Sequence, residues 1–358
     1  MPKQKTPSGI FEWIQRNARP KTSDSATLRY ERMESQASES LPEVHVPLDH
    51  REPGHWHHRG MIWDFILSMG EGKRILDVGP GDGWPSLLMA PHFKEIVGIE
   101  PSPKRVAVCK ANAQVVRTRK ARFEEMSVCD MSFPANTFDG VVAATSVEQS
   151  PDPAAALREI HRVLKPGGAF RMTYEAVEAS PEPVREAVMI HAAQQGAYVI
   201  DYLVTWAETG TEHGYLVEAV PITDVSRKRL QTWARRCERD AYPHRDPRLE
   251  RGMAQTITSL RKAEILEARC FKLRHFKAAT LVRNLERVGF TGVRHVTGGG
   301  WPASLLCQEL LKARRIEAAA PLMDELCRGA ARAGLEMATT RPGHVIAYKG
   351  SRRGPSRR

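Results

Sequence analysis

KRILDVGPGDGWPSLLMA, residues 73–90, runs from an apolar strand pattern through a glycine-dense turn into an apolar helix pattern. Gly79, Gly81 and Gly83 let the chain bend sharply and bring main chain close to a ligand with no Cβ in the way. An acid, Asp77, stands just ahead of them. Several cofactor-binding folds begin with a strand, a glycine turn and a helix in this order, so the surroundings of the turn decide which one applies.

Outward from this turn, apolar strands alternate with amphipathic helices. A helical pattern MIWDFILSM (61–69) precedes the first strand, and WPSLLMAPHF (84–93) reads as the helix after the turn. Strand patterns at EIVGIE (95–100), ARFEEMSV (121–128), DGVVAAT (139–145) and AFRMTYEA (169–176) are separated by helical patterns such as SPKRVAVCKANAQVV (102–116) and DPAAALREIHRVL (152–164). This predicts an α/β fold with a doubly wound, mainly parallel sheet. The alternation breaks after Glu178, where YVIDYLVTWA, ETGTEHG and YLVEAVPI read as an antiparallel hairpin followed by basic helices such as SRKRLQTWARRCERD (226–240). It resumes with helix AATLVRNLERVG (278–289), strand FTGVRHVTG (290–298), a helical pair up to Ala333 and a last strand HVIAYKG (344–350). The expected organisation is an N-terminal arm over 1–60 with a helix at 23–40, a core half over 61–177 and an inserted hairpin-plus-helices lid over 178–277. The second core half follows over 278–350, then a basic tail over 351–358.

The chain has 358 residues, of which 41% are hydrophobic, enough to furnish a buried core. No apolar run approaches the ~18 residues a membrane span needs, and the N-terminus lacks the apolar stretch of a secretory signal, so a cytoplasmic protein is expected. Six scattered cysteines, with no CxxC pair, suggest neither a disulfide framework nor a thiolate zinc site. Cys129 reads as a small apolar filler. The formal net charge of +11 is concentrated between Val225 and Phe290, which holds 17 Lys and Arg against 7 Asp and Glu. Such a block suits an anionic substrate, nucleic acid, a membrane surface or a solvated helical face.

A dinucleotide turn needs a third glycine where this chain has Trp84, and a phosphate-cradling loop needs a Gly-Lys-Ser/Thr ending that is absent. Asp77 would repel a pyrophosphate and favour a cation. S-adenosylmethionine carries an ammonium and a sulfonium and no phosphate, and Glu100, at the end of the next strand, is placed to accept from its ribose diol. With LDVGPGDG, VGIEPSP, FPANTFDGVVAATSVEQSPDPAAALREIHRVLKPGG, LERVGFTGVRHV and HVIAYKG in this order, the sequence resembles the class I S-adenosylmethionine-dependent methyltransferases, in particular the methyltransferase-11-like group. The resemblance spans roughly 74–174 and 281–349.

By that resemblance Asp77, Gly79, Gly81 and Gly83 line the methionine end and its turn, Glu100 holds the ribose, and Pro101 and Ser102 lie beside the adenine. Thr145 and Ser146 underlie the sulfonium. Ser127 stands where the family commonly has an adenine-binding Asp, with Val128 offering a backbone N–H, and Asp130 lies three positions away. Many relatives read Glu-His where this chain has Glu148 and Gln149. Glutamine cannot titrate, so Glu148 is the remaining candidate for a catalytic base.

His45, His50, His55, His57 and His58 cluster before the core, but lack a partnering Cys pair and are not expected to hold a metal. Trp56, one or two of these histidines and Tyr30 are expected to fold over the cofactor cleft or to serve the core. The Asn/Asp-Pro-Pro-aromatic motif of base-amino methylation is missing, since that place reads TSVEQ. The reading is therefore methyl transfer to a small-molecule acceptor. The alternatives are an RNA methyltransferase whose basic insertion holds phosphates, or a non-catalytic S-adenosylmethionine-binding protein. Acceptor atom and oligomeric state are not legible.

Overall fold

The computed structural model describes residues 6–22, 48–239, 247–337, 339 and 342–350. The expected helix at 23–40, Tyr30, His45 and the tail 351–358 lie outside them. In chain order the elements begin with α1 (Ile10–Asn17), β1 (Lys21–Thr22), α2 (Pro53–Met69), β2 (Arg74–Val78), α3 (Ser86–Met89), β3 (Glu95–Glu100), α4 (Pro103–Val115) and β4 (Ala121–Glu125). They continue with β5 (Phe138–Ala144), α5 (Pro153–Val163), β6 (Leu164–Thr173), β7 (Val184–Ala192), β8 (Tyr198–Trp206), β9 (Thr211–Ala219), α6 (Asp224–Arg239) and α7 (Pro247–Thr258). The last are β10 (Ile265–Arg274), α8 (Ala278–Val288), β11 (Phe290–His295), α9 (Gly300–Lys312), α10 (Ile316–Ala319), α11 (Met323–Glu336) and β12 (His344–Lys349). The chain divides into two compact units, residues 32–176 with 276–358, and residues 1–31 with 177–275.

The first unit is built on a seven-stranded sheet in the order β11-β12-β6-β5-β2-β3-β4. β4, β3, β2, β5 and β6 run parallel, and β12 is antiparallel to both its neighbours. Strand residues alternate between two apolar layers, as the pleat requires. Ile75, Ile96 and Val142 face a cluster with Trp56, Phe65, Cys307 and Cys327 of α2, α9 and α11. Leu76, Val97 and Val141 face Leu157, Ile160, Leu281 and Leu285 of α5 and α8. Ser-Pro and Asp-Pro dipeptides start two of the helices. Ser102 Oγ accepts from Arg105 N ahead of α4, and Asp152 Oδ1 accepts from Ala154 N and Ala155 N ahead of α5. The expected helix over 84–93 is only a four-residue turn, with Pro85 at its N-cap, followed by a 3-10 turn at Ala90–His92, where Pro91 removes an amide donor from the ladder.

The second unit is a five-stranded sheet in the order β1-β10-β9-β8-β7, antiparallel except for the short β1–β10 pair. The hairpin β8–β9 stands where the sequence predicts it, but β7 and β10 were hidden by their charges. In β10 Glu267, Lys272 and Arg274 are exposed and alternate irregularly with buried Ala268, Phe271 and Leu273. The basic block is therefore no single helical face. Its charges are shared among α6, α7 and β10 of this unit and α8 of the other. The unit also takes in a segment expected to be an arm: α1 contributes Ile10 and Ile14 to a core with Leu230, Met253 and Ile257.

Candidate cofactor site

In the seven-stranded sheet the strand order reverses between β2 and β5, and in open α/β sheets the crevice at the carboxyl ends of such strands is where ligands bind. Asp77 and the glycine turn end β2 on one side of this point, and Thr145 and Ser146 follow β5 on the other. The two ends touch. Ser146 Oγ donates to Val78 O, and a Cβ on Gly79 would lie 2.6 Å from Ser146 Cβ. Gly79 and Gly81 have φ of 71° and 64°, the left-handed region that favours glycine. Gly79 N extends the ladder to Ile99 O, and Gly83 N closes the turn on Pro80 O, each at 2.9 Å. Thr145 is also left-handed, at φ 50°, an uncommon conformation for a residue other than glycine that clusters at functional sites.

Two acids are buried here. Asp77 Oδ2 accepts from Ser86 Oγ at 2.6 Å, while Oδ1 is buried with no hydrogen-bond partner. Glu100, at the end of β3, accepts from Gly81 N at 3.2 Å. Burial pushes the Asp77 carboxyl up to about 7; the Ser86 hydrogen bonds oppose this and the charge of Glu100 adds to it. Two nearby buried carboxylates beside a bared backbone suit a ligand carrying positive charge and hydroxyl donors. S-adenosylmethionine fits that description, and Asp77 and Glu100 could hold its cationic end and its diol.

The other expected residues fall into two groups. Pro101 and Ser102 continue directly from Glu100, though the Ser102 hydroxyl is engaged as the cap of α4. Ser127 Oγ accepts from Cys129 N at 3.2 Å, so it closes a local turn, and Val128 is buried in the core layer while Asp130 is exposed. Cys129 is half-buried and donates to Asp152 O. Glu148 is buried and accepts from Glu175 N at 3.1 Å, which fastens the chain just beyond β6. This contact orients a strand end.

The histidines disperse. His50 pairs with Glu317 at 3.0 Å, His55 Nδ1 accepts from Asp49 N, His57 packs at Gly300, and His58 meets the edge of Trp84. Trp56 is fully buried in the helical layer, and Trp84 packs against that layer too. The Trp56 indole donates to His50 O at 2.8 Å and needs no ligand to explain it, whereas the Trp84 indole nitrogen is buried with no hydrogen-bond partner.

Three supporting side chains escaped the sequence reading. Besides Ser86, Cys109 Sγ donates to Gly81 O at 3.3 Å and Asn112 Nδ2 donates to Asp82 O at 2.7 Å. Both lie on α4 and hold the carbonyls of the glycine turn. The signal was a buried Asn within a helix, where Asn is a poor helix former. For Cys109 the sequence offered none.

Fold and crevice are those expected of a class I S-adenosylmethionine-dependent methyltransferase domain. Residues 76–172 match the family model described as a methyltransferase domain. Over 118 residues the chain is 29% identical to the uncharacterized methyltransferase YcgJ of Bacillus subtilis (strain 168), covering 33% of this chain and 46% of that protein. It is 28% identical over 179 residues to the 27-O-demethylrifamycin SV methyltransferase of Amycolatopsis mediterranei (strain S699), covering 49% and 64%. With the ubiquinone biosynthesis O-methyltransferase of Paracidovorax citrulli (strain AAC00-1) it shares 34% identity over 108 residues, covering 30% and 45%. The chain thus spans about half the length of the curated relatives it matches.

Glu100→Ala should weaken S-adenosylmethionine binding by roughly 1.5–3 kcal/mol through loss of charge-assisted hydrogen bonds. Calorimetry measures it, and parent-like affinity would remove Glu100 from the site. Asp77 adds a pH dependence. Its folded-state pKa lies above the ordinary 3.8, so between 3.8 and about 7 the free protein holds a proton the unfolded chain releases, and stability falls as pH rises through that window. A cationic ligand favours the ionised form, so S-adenosylmethionine affinity should rise with pH toward and through 7, by at most about tenfold per pH unit for one proton. Asp77→Asn should flatten that profile.

Proposed function

We propose that the protein transfers the methyl group of S-adenosylmethionine to a small-molecule acceptor, in the cytoplasm. The observation that carries the reading is the meeting of Asp77, Gly79 and Glu100 with Thr145 and Ser146 at the reversal of strand order, a bared, acidic crevice suited to a cationic nucleoside. S-adenosylmethionine supplies an already activated methyl group on a sulfonium. The chain's own task is then to align the acceptor and exclude water, and proximity can supply several kcal/mol, about 7–11 in the best intramolecular cases. Asp77 faces the positive end, Glu100 fixes the ribose, and Thr145 with Ser146 forms the floor on the β5 side. Pro101, Ser127 and Val128 are proposed to flank the adenine through shape and main chain, because the Ser127 hydroxyl is already committed to Cys129 N.

Support for a small acceptor comes from the small-molecule methyltransferases among the relatives. All six cysteines are free, which accords with a reducing compartment. Among the described residues no helix is long and apolar enough to cross a membrane. The test pairs two substrates: methyl-labelled S-adenosylmethionine is incubated with a small-molecule cell extract and, separately, with total RNA at two salt concentrations. Label in the low-molecular-weight fraction, with negligible RNA binding at low salt, is the expected result. Label in RNA, with affinity falling on a log–log slope of about −0.7 per phosphate contacted, would overturn it.

A further inference from the structure

We propose that the unit formed by residues 1–31 and 177–275 carries a binding site of its own for a small zwitterion with an apolar body, such as an apolar α-amino acid. The site is a cavity of about 370 Å³, within the range of small-molecule pockets, roughly 300–1,000 Å³. It shares no residue with the cofactor site and does not depend on the function proposed above.

Three walls form the cavity. One is the face of α7 that presents Arg251, Ala254, Gln255 and Thr258, spaced i, i+3, i+4 and i+7 as one side of a helix must be. The second is the sheet, with Glu186 and Val188 two residues apart on β7 and Tyr202 on β8. The third is the N-terminal segment at Pro7, Ser8 and Ile10.

Polar and apolar groups share the lining, and the polar ones on the sheet side are built in. Glu186 Oε2 accepts from Ser8 N at 3.0 Å, and its Oε1 accepts from Ser8 Oγ and from Tyr202 Oη. Tyr202 is fully buried; burial first, then the Glu186 charge, pushes its hydroxyl far above the ordinary range, so it stays a donor. Three donors on one carboxylate fix its orientation, and a carboxylate offers about four acceptor positions, so one remains for a ligand N–H or O–H. Arg251, also in the lining, is exposed, and its guanidinium is a planar cation with five N–H donors. A carboxylate, a guanidinium and the apolar Ile10, Val188 and Ala254 in one lining match an ammonium, a carboxylate and an apolar side chain.

Ligand-observed NMR on the full chain tests this with three probes: L-phenylalanine, 3-phenylpropanoate, which lacks the ammonium, and phenethylamine, which lacks the carboxylate. L-phenylalanine should bind at least tenfold more tightly than either analogue. Gln255→Trp, an exposed position that can take bulk without disturbing the core, should abolish binding while S-adenosylmethionine affinity stays that of the parent. Arg251→Ala should erase the advantage over phenethylamine, and Glu186→Gln the advantage over 3-phenylpropanoate. No binding of any probe at millimolar concentration, or binding unchanged by Gln255→Trp, would overturn the proposal.

Discussion

Gly79→Val is expected to abolish measurable S-adenosylmethionine binding, a loss of at least about a hundredfold, or ~2.7 kcal/mol. Two effects combine. The position has φ of 71°, where a β-branched residue is an outlier, and its Cβ would lie 2.6 Å from Ser146 Cβ, well inside contact distance. Ser146 has little room to yield because its hydroxyl is tied to Val78 O. The branched side chain therefore wedges apart the ends of β2 and β5 where the cofactor must sit. Calorimetry on a variant whose circular dichroism matches the parent measures this. Affinity within threefold of the parent would mean that the glycine turn is not the cradle.

Arg171→Met is expected to destabilise the seven-stranded unit by roughly 3–5 kcal/mol, because it strands a buried carboxylate. Arg171 lies fully buried on β6 and pairs with Asp64 of α2, which is equally buried. Its Nη1 also donates to Met172 O at 3.0 Å and Val345 O at 3.2 Å, and Nη2 meets His344 Nδ1 at 3.0 Å. Burial raises the Asp64 carboxyl while Arg171, and to a lesser degree a Gly299 backbone hydrogen bond, lowers it, so removing the guanidinium leaves most of the penalty unopposed. The double variant Arg171→Met with Asp64→Leu should recover most of the loss. Urea midpoints for the two variants measure the difference, and equal destabilisation by both would show that the pair is not what holds this layer. His344 adds a pH term: burial, then Arg171, depresses it to about 3 from 6.5, so stability should drain as pH falls from 6.5 toward 3.

The sequence made the parallel strands legible because each is an apolar run bounded by turn residues, from RILDV to FDGVVAA. The site was legible in its charges, since an acid before a glycine turn and a second acid ending the next strand can be counted without coordinates. What supports them was not. Ser86, Cys109 and Asn112 act on Asp77 and the turn carbonyls from 9, 28 and 30 residues away, through contacts that only the packing of α3 and α4 creates. Strands β7 and β10 were obscured for a different reason. β7 is an edge strand with mostly half-exposed positions, and β10 has arginines and lysines among its outward-facing residues, so neither shows a clean apolar alternation. The Arg171–Asp64 pair was invisible because nothing in the sequence links the Arg of AFRMTYEA to the Asp of MIWDFILSM, 107 residues away, until helix and strand are packed.

The central claim is that the crevice between β2 and β5 takes a cationic nucleoside and not a dinucleotide. Isothermal titration calorimetry of the full chain with S-adenosylmethionine and with NAD tests it most directly. The predicted result is one S-adenosylmethionine bound per chain, weakened by Glu100→Ala and lost in Gly79→Val, with no heat from NAD. Saturable NAD binding with none for S-adenosylmethionine would contradict it.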